Sequence, residues 1–186
     1  MSAAALDIAS LEVESAIIHN FQPCVFPGLL QTRNYASALF STRLSDDASI
    51  SALLDFRRDR HRILTDPNPP QYVSIINESV FRHQVGDEAV MREQIRRVGE
   101  VARWDHVHVR VLPVSAGAHL GLAGSFVLMS LRPPGSLTVS VLELFAKSVF
   151  VDDEDQVAEH AAVFNRILDA SLDETASLRF IDAIAS

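Results

Sequence analysis

With 186 residues, 48% of them hydrophobic and 22% charged, the chain is long and apolar enough to bury a substantial core and is not a disordered tail. Its formal net charge of −8 opposes nucleic-acid binding, since sixteen Lys and Arg face twenty-four Asp and Glu and phosphate is repelled at long range. A single cysteine, Cys24, excludes an internal disulfide and a thiolate metal cluster and fits a reducing cytosol, and no apolar run approaches the ~20 residues of a membrane span.

In chain order, the spacing predicts a helix from Leu6 to Phe21, with Leu11, Ile17, Ile18 and Phe21 as its apolar stripe and Pro23 as its end. The segment Met1 to Asp7 lacks the basic-then-apolar pattern of a signal peptide, so a cytoplasmic location is expected. Pro27-Gly28 makes a turn, and Thr32 can cap a second helix through Tyr35 and Leu39. A third helix runs from about Ala48 to Leu64 and is closed by Pro67-Asn68-Pro69-Pro70.

Gln71 to Asn77, rich in Tyr, Val and Ile, reads as a strand. Asp87 begins an amphipathic helix through Val98 and Ala102. His106 to Leu112 alternates as a half-buried strand with a polar outer side of His106, His108 and Arg110. After a loop, Ser115 to Gly124, the segment Phe126 to Met129 is apolar on both faces and reads as a central strand. Pro133-Pro134-Gly135 is the next turn. Leu137 to Phe145 and Val149 to Val151 form a hairpin turning near Ala146-Lys147-Ser148, and two helices follow, Asp153 to Leu172 and Glu174 to Ile184. The acidic excess sits here, with nine acids against Arg166 and Arg179 from Asp152 onward, as expected of a solvated helical face.

The informative residues are charges that periodicity turns toward the core, where an ion is costly unless it is paired or meets a ligand. The stripe begun by Ile50, Leu53 and Leu54 continues through Arg57, Arg60 and His61, while Asp55, Arg58, Asp59 and Arg62 already fill the outer face. Glu143 shares a strand face with Leu137, Val139 and Val141. Glu14 lies on the stripe of the first helix, and Glu78 closes the strand from Gln71. Two readings follow: buried ion pairs that dock helices on the sheet, or a pocket for a polar or anionic small molecule lined by Arg57, Arg60, His61, Glu78 and Glu143. Gln31, Tyr35 and His119 are secondary candidates for that lining. Seven histidines include no pair at zinc-binding spacing, Gly121 and Gly124 make no phosphate cradle, and neither Ser125 nor Cys24 has the setting of a nucleophile, so no metal, no cofactor and no catalytic residue is assigned.

Pro27-Gly28-Leu29-Leu30-Gln31-Thr32 followed by Tyr35-Ala36 resembles the signature of a domain of unknown function found behind the helix-turn-helix of actinobacterial XRE-class regulators. The likeness continues through Arg57, Arg60 and Leu64, Asn77-Glu78-Ser79-Val80, Val109-Arg110-Val111-Leu112-Pro113, Gly117-Ala118-His119, Gly124-Ser125-Phe126 and Glu143. It implies a ligand- or partner-sensing effector domain in transcriptional control, working with a small molecule or a regulatory protein, without touching nucleic acid itself, and with homodimerisation as an option. Three departures stand out. His61 follows Arg60 where the pattern has Gln, Val141 stands where it has Tyr, and Met1 to Phe21 holds one helix rather than a helix-turn-helix. The alternative is therefore a stand-alone biosynthetic enzyme of cyclase or isomerase type on the same domain. The expected architecture is one α+β domain over residues 1–186. It is helical over 1–66, mixed over 71–152 and helical again over 153–186, with about six helices packed on a mostly antiparallel sheet of about five strands.

Overall fold

Residues 15–22 decide the architecture. In the computed structural model, which describes residues 3–134, 136–144 and 147–185, they form not the second half of a helix but a strand. The elements are α1 (Ala3–Glu14), β1 (Ser15–Gln22), α2 (Arg33–Ser41), α3 (Asp47–His61), β2 (Gln71–Asn77), α4 (Glu88–Val101), β3 (Val107–Leu112), β4 (Phe126–Leu131), β5 (Thr138–Glu143), β6 (Ser148–Val151), α5 (Glu154–Asp169) and α6 (Glu174–Ala185). The fold is α+β as expected, but the sheet has six strands in the order β3-β2-β1-β4-β5-β6 and is mixed rather than mostly antiparallel. β1 pairs parallel with β2, β2 pairs parallel with β3, and the other three pairings are antiparallel.

The physical reason for the misread helix is burial on both faces. A strand in the middle of a sheet shows no polar alternation, and Ile17, Ile18 and Phe21 fit a helical stripe as well as a strand. The switch from α1 to β1 occurs without a loop. Ser15 Oγ donates back to the Leu11 carbonyl at 2.6 Å, while Arg132, at the end of β4, supplies Nη1 to Val13 O and its backbone N–H to Glu14 O at 2.8 Å. These bonds serve carbonyls that a helix end leaves open.

The other helix starts follow their caps. Thr32 Oγ1 accepts from Tyr35 N, Asp87 from Val90 N, and Asp153 from Gln156 N. The expected hairpin is β5 against β6, with Leu142 opposite Val149. Residue 145 at the expected end of its first strand, residue 146 of its expected turn, and residue 135 of the preceding turn lie outside the described residues. The polar side of β3 is half-buried: the Arg110 guanidinium donates to carbonyls ahead of α6, and His108 Nδ1 stands 3.1 Å from Glu174 Oε1.

Alternation sorts the sheet into two faces. On one, Ile18, Tyr72, Ile76, Val107, Val109, Val111, Met129, Val139 and Val141 join Tyr35, residues of α4 such as Ile95 and Val98, and Ile181 of α6 in the larger core. On the other, Phe21, Ile75, Leu112, Phe126 and Leu128 pack against Phe164 and Ile167 of α5. Among the described residues no helix is long and apolar enough to cross a membrane.

Candidate functional site

Within the larger core the packing leaves a cavity of about 190 Å³ over the middle of the sheet. Its floor is β1, β4 and β5, and its walls come from α1, the Val25–Gln31 segment, α2 and α3. Eight apolar residues, Ile8, Val25, Phe26, Leu29, Leu39, Val127, Met129 and Val141, share that lining with Glu12, Asn20, Gln22, Gln31, Arg57, Arg60 and Glu143.

Two arginines three residues apart on α3 enter this space and meet different fates. Arg60 makes a forked pair with Glu12, Nε to Oε2 at 2.8 Å and Nη2 to Oε1 at 2.6 Å, with the Glu12 side chain only 6% exposed. Burial works to lower the Arg60 pKa, but the bonds to Glu12 outweigh it and hold the guanidinium above its ordinary value. Arg57 has no carboxylate within ion-pair distance among the described residues. Its Nη1 donates to the amide oxygen of Gln31 at 2.8 Å, and its guanidinium carbon lies 5.3 Å from the centre of the Phe40 ring. Burial pushes its pKa down to about 10, the charge of Arg60 adds to that, and Glu143 and Glu12 oppose it.

The segment before α2 is shaped around these groups. Gln31 passes the contact on, with Nε2 donating to the Phe26 carbonyl at 2.6 Å, and His61 Nε2 donates to the Gly28 carbonyl at 2.9 Å. From α4, Gln94 donates to Leu30 O at 2.9 Å and accepts from Thr32 N at 2.7 Å. A Cβ at Gly28 would stand 2.6 Å from Arg57 Nη1, so a larger residue there would displace that guanidinium. The string Gly28 to Thr32 is thus held by four side chains, Arg57 and His61 of α3, Gln94 of α4 and Gln31 of the string itself, which fixes one wall of the cavity.

Of the residues expected to line a site, Arg57, Arg60, Gln31 and Glu143 do meet in this cavity. Glu143 follows Val139 and Val141 on the same face, yet it is exposed, at the end of its strand. His61 turns to the other side of Arg57, into a cleft of about 270 Å³ shared with Arg33, Arg58, Glu93 and Arg97, and burial lowers its pKa. Tyr35 is core: its ring packs edge-on against Phe26 and its hydroxyl oxygen accepts from Phe26 N at 3.4 Å.

Three expectations are corrected. Glu78 is not in the cavity; it accepts from Arg82 and from the Val114 backbone N–H at the far end of β2, where it braces the loop before β4. That second bond, with Arg82, holds its carboxyl below the usual range. His119 lies on the α5 side, edge-on to Phe21 at 6.0 Å, so the sheet separates it from Arg57. Glu14 is exposed, because α1 ends there.

The residues missed from sequence are Glu12, Asn20 and Gln22. Glu12 lies four after Ile8, one helical turn on the same face, a signal that was available. Asn20 and Gln22 alternate with Ile18 on β1 and are legible only if that segment is a strand. Asn20 is 7% exposed, and its Oδ1 has no hydrogen-bond partner among the described residues. Tyr72 is fully buried, and burial raises its pKa, with the charges of Glu12, Arg60 and Glu143 also acting on it. Among the described residues no three His, Cys, Asp or Glu side chains gather in a way that could hold a metal ion.

The arrangement sets charged and hydrogen-bonding groups beside apolar side chains around one cavity. No curated protein and no solved structure matches the chain. Residues 5–183 match the family described as Domain of unknown function (DUF5753), so the protein belongs to that family.

Proposed function

We propose that the domain is a ligand-sensing effector module related to helix-turn-helix regulators of the XRE class, acting in the cytoplasm without contacting nucleic acid itself. Its site in this reading is the cavity between the sheet and α1, α2 and α3. The observation that carries the reading is Arg57: a desolvated guanidinium on a cavity wall, bonded to an amide and to no carboxylate within ion-pair distance among the described residues. A structural arginine at this depth would be expected to close on an acid, as Arg60 does on Glu12. Occupancy would stabilise the cavity walls, and the Gly28–Thr32 string would pass that change to α2, α3 and α4.

His61, on which the alternative of a cyclase- or isomerase-type enzyme leans, donates to Gly28 and lines the neighbouring cleft, so binding rather than turnover is the proposed activity. The test is thermal melting of the chain against small polar molecules, with mass spectrometry of the recovered compound. Concentration-dependent stabilisation with the compound unchanged is the expected result, a rise of about 2.7 kcal/mol at a hundred times Kd. Chemical conversion would favour the enzyme reading, and a chain indifferent to every compound that fits would end the sensing one.

A further inference from the structure

Resting on that reading, we propose that the occupant is a small amphipathic monocarboxylate that also carries a hydrogen-bond donor. Four observations combine. The first is size: about 190 Å³ lies below the common range of ligand pockets, roughly 300–1,000 Å³, and suits a compound of about a dozen non-hydrogen atoms.

The second is charge. In the interior of the site two guanidinium groups face one carboxylate, and the Glu12–Arg60 fork uses up that carboxylate. Arg57 is left with one N–H on Gln31 and the rest of its donor fork available, a planar shape that matches a carboxylate's two oxygens. Glu143 is exposed and outside ion-pair distance of Arg57, so its charge acts on the guanidinium from the mouth of the cavity without bonding to any of its donors. A doubly charged phosphate fits less well, because Glu12 and Glu143 would both oppose the second charge.

The third observation is independent of charge. Asn20 lines the cavity, is more than nine-tenths buried, and leaves Oδ1 without a donor, a costly state that a ligand hydroxyl or N–H would relieve. The fourth is the remaining wall: Ile8, Val25, Leu29, Val127, Met129 and Val141 ask for a hydrocarbon body between the two polar ends.

The test uses matched acids and carboxamides: benzoate, meta- and para-hydroxybenzoate and 2-hydroxy-4-methylpentanoate, each against its amide. Binding to the whole chain is followed by calorimetry and by thermal melting. An acid is expected to bind about tenfold or more tightly than its amide, and a hydroxy acid several-fold more tightly than benzoate. Arg57→Met removes the acid-over-amide preference, and Arg57→Lys restores part of it. Asn20→Leu removes the advantage of the hydroxyl, and Glu143→Gln tightens the acids by taking a like charge from the mouth. Circular dichroism of each variant separates lost binding from lost fold. Amides that bind as well as the acids would overturn the ligand class while leaving the cavity as a binding site. Failure of both acids and amides at millimolar concentration would overturn the class and the sensing reading together.

Discussion

On the α5 side of the sheet, Phe21, Leu112, Phe126, Phe164 and Ile167 pack so closely that a Cβ at Gly121 would stand 2.5 Å from the Phe21 ring. On the opposite side the same strands lie under a cavity of about 190 Å³ ringed by amides and charges. One strand serves both. In β1, His19 and Phe21 face α5, with the His19 ring stacked 4.6 Å from Phe164, while Ile18, Asn20 and Gln22 face the cavity side. The difference teaches that a period-two element can keep a dense, apolar platform and a polar, underpacked site on a shared backbone. Changes on one face should then be felt as stability and on the other as binding.

That division can be broken most severely at Glu12, the exception on the cavity side. Glu12→Ala strands the Arg60 guanidinium, and unfolding in urea should show a loss of about 2–4 kcal/mol, below the full cost of a buried pair because Arg60 keeps some exposure. Next comes Gly121→Ala on the dense face. With Phe21 and Ile167 both under 3 Å from the new Cβ, overpacking should cost about 1–3 kcal/mol, with any ligand affinity of the folded fraction unchanged.

Arg57→Met sharpens the contrast with Glu12. It removes a charge that has no carboxylate partner within ion-pair distance, so stability should move by no more than about 1 kcal/mol while recognition of anions disappears. If melting instead shows a loss as large as that of Glu12→Ala, Arg57 is a structural strut. The smallest effect is that of pH. Burial lowers the pKa of both His19 and His61 below the ordinary 6.5, and the charges of Arg57, Arg60 and Arg97 add to the shift at His61. The unfolded chain then takes up protons first, so stability should fall as pH drops from 6.5 toward the lowered native values and level off beneath them. His61→Gln should flatten part of that slope in melts taken across the window.

Much of this was legible in the sequence where one physical signal dominated. β2, β3, α4, α5 and α6 declare themselves by alternation, by an Asp at the N-cap and by proline breaks, and the inward phase of Arg57 and Arg60 follows from Ile50 and Leu54. What failed traces to β1. Reading it as helix extended the stripe of α1 past its end, selected the exposed Glu14 in place of Glu12, and concealed the amides of Asn20 and Gln22. It also hid the strand that pairs parallel with β2, and so the mixed sheet. Glu78 and His119 were misplaced for another reason. Strand ends and loops are positioned by tertiary contacts, such as the Val114 N–H and the Phe21 ring, that no local period encodes.

The place of β1 carries a last consequence for anyone who trims the gene. It joins a block of strands running the same way to a block of alternating direction, with Ile18 opposite both Tyr72 and Met129. A protein shortened past Gln22 would lose no peripheral arm. It would be cut along its seam, with two raw borders of unsatisfied amides and carbonyls ready to stick to other copies.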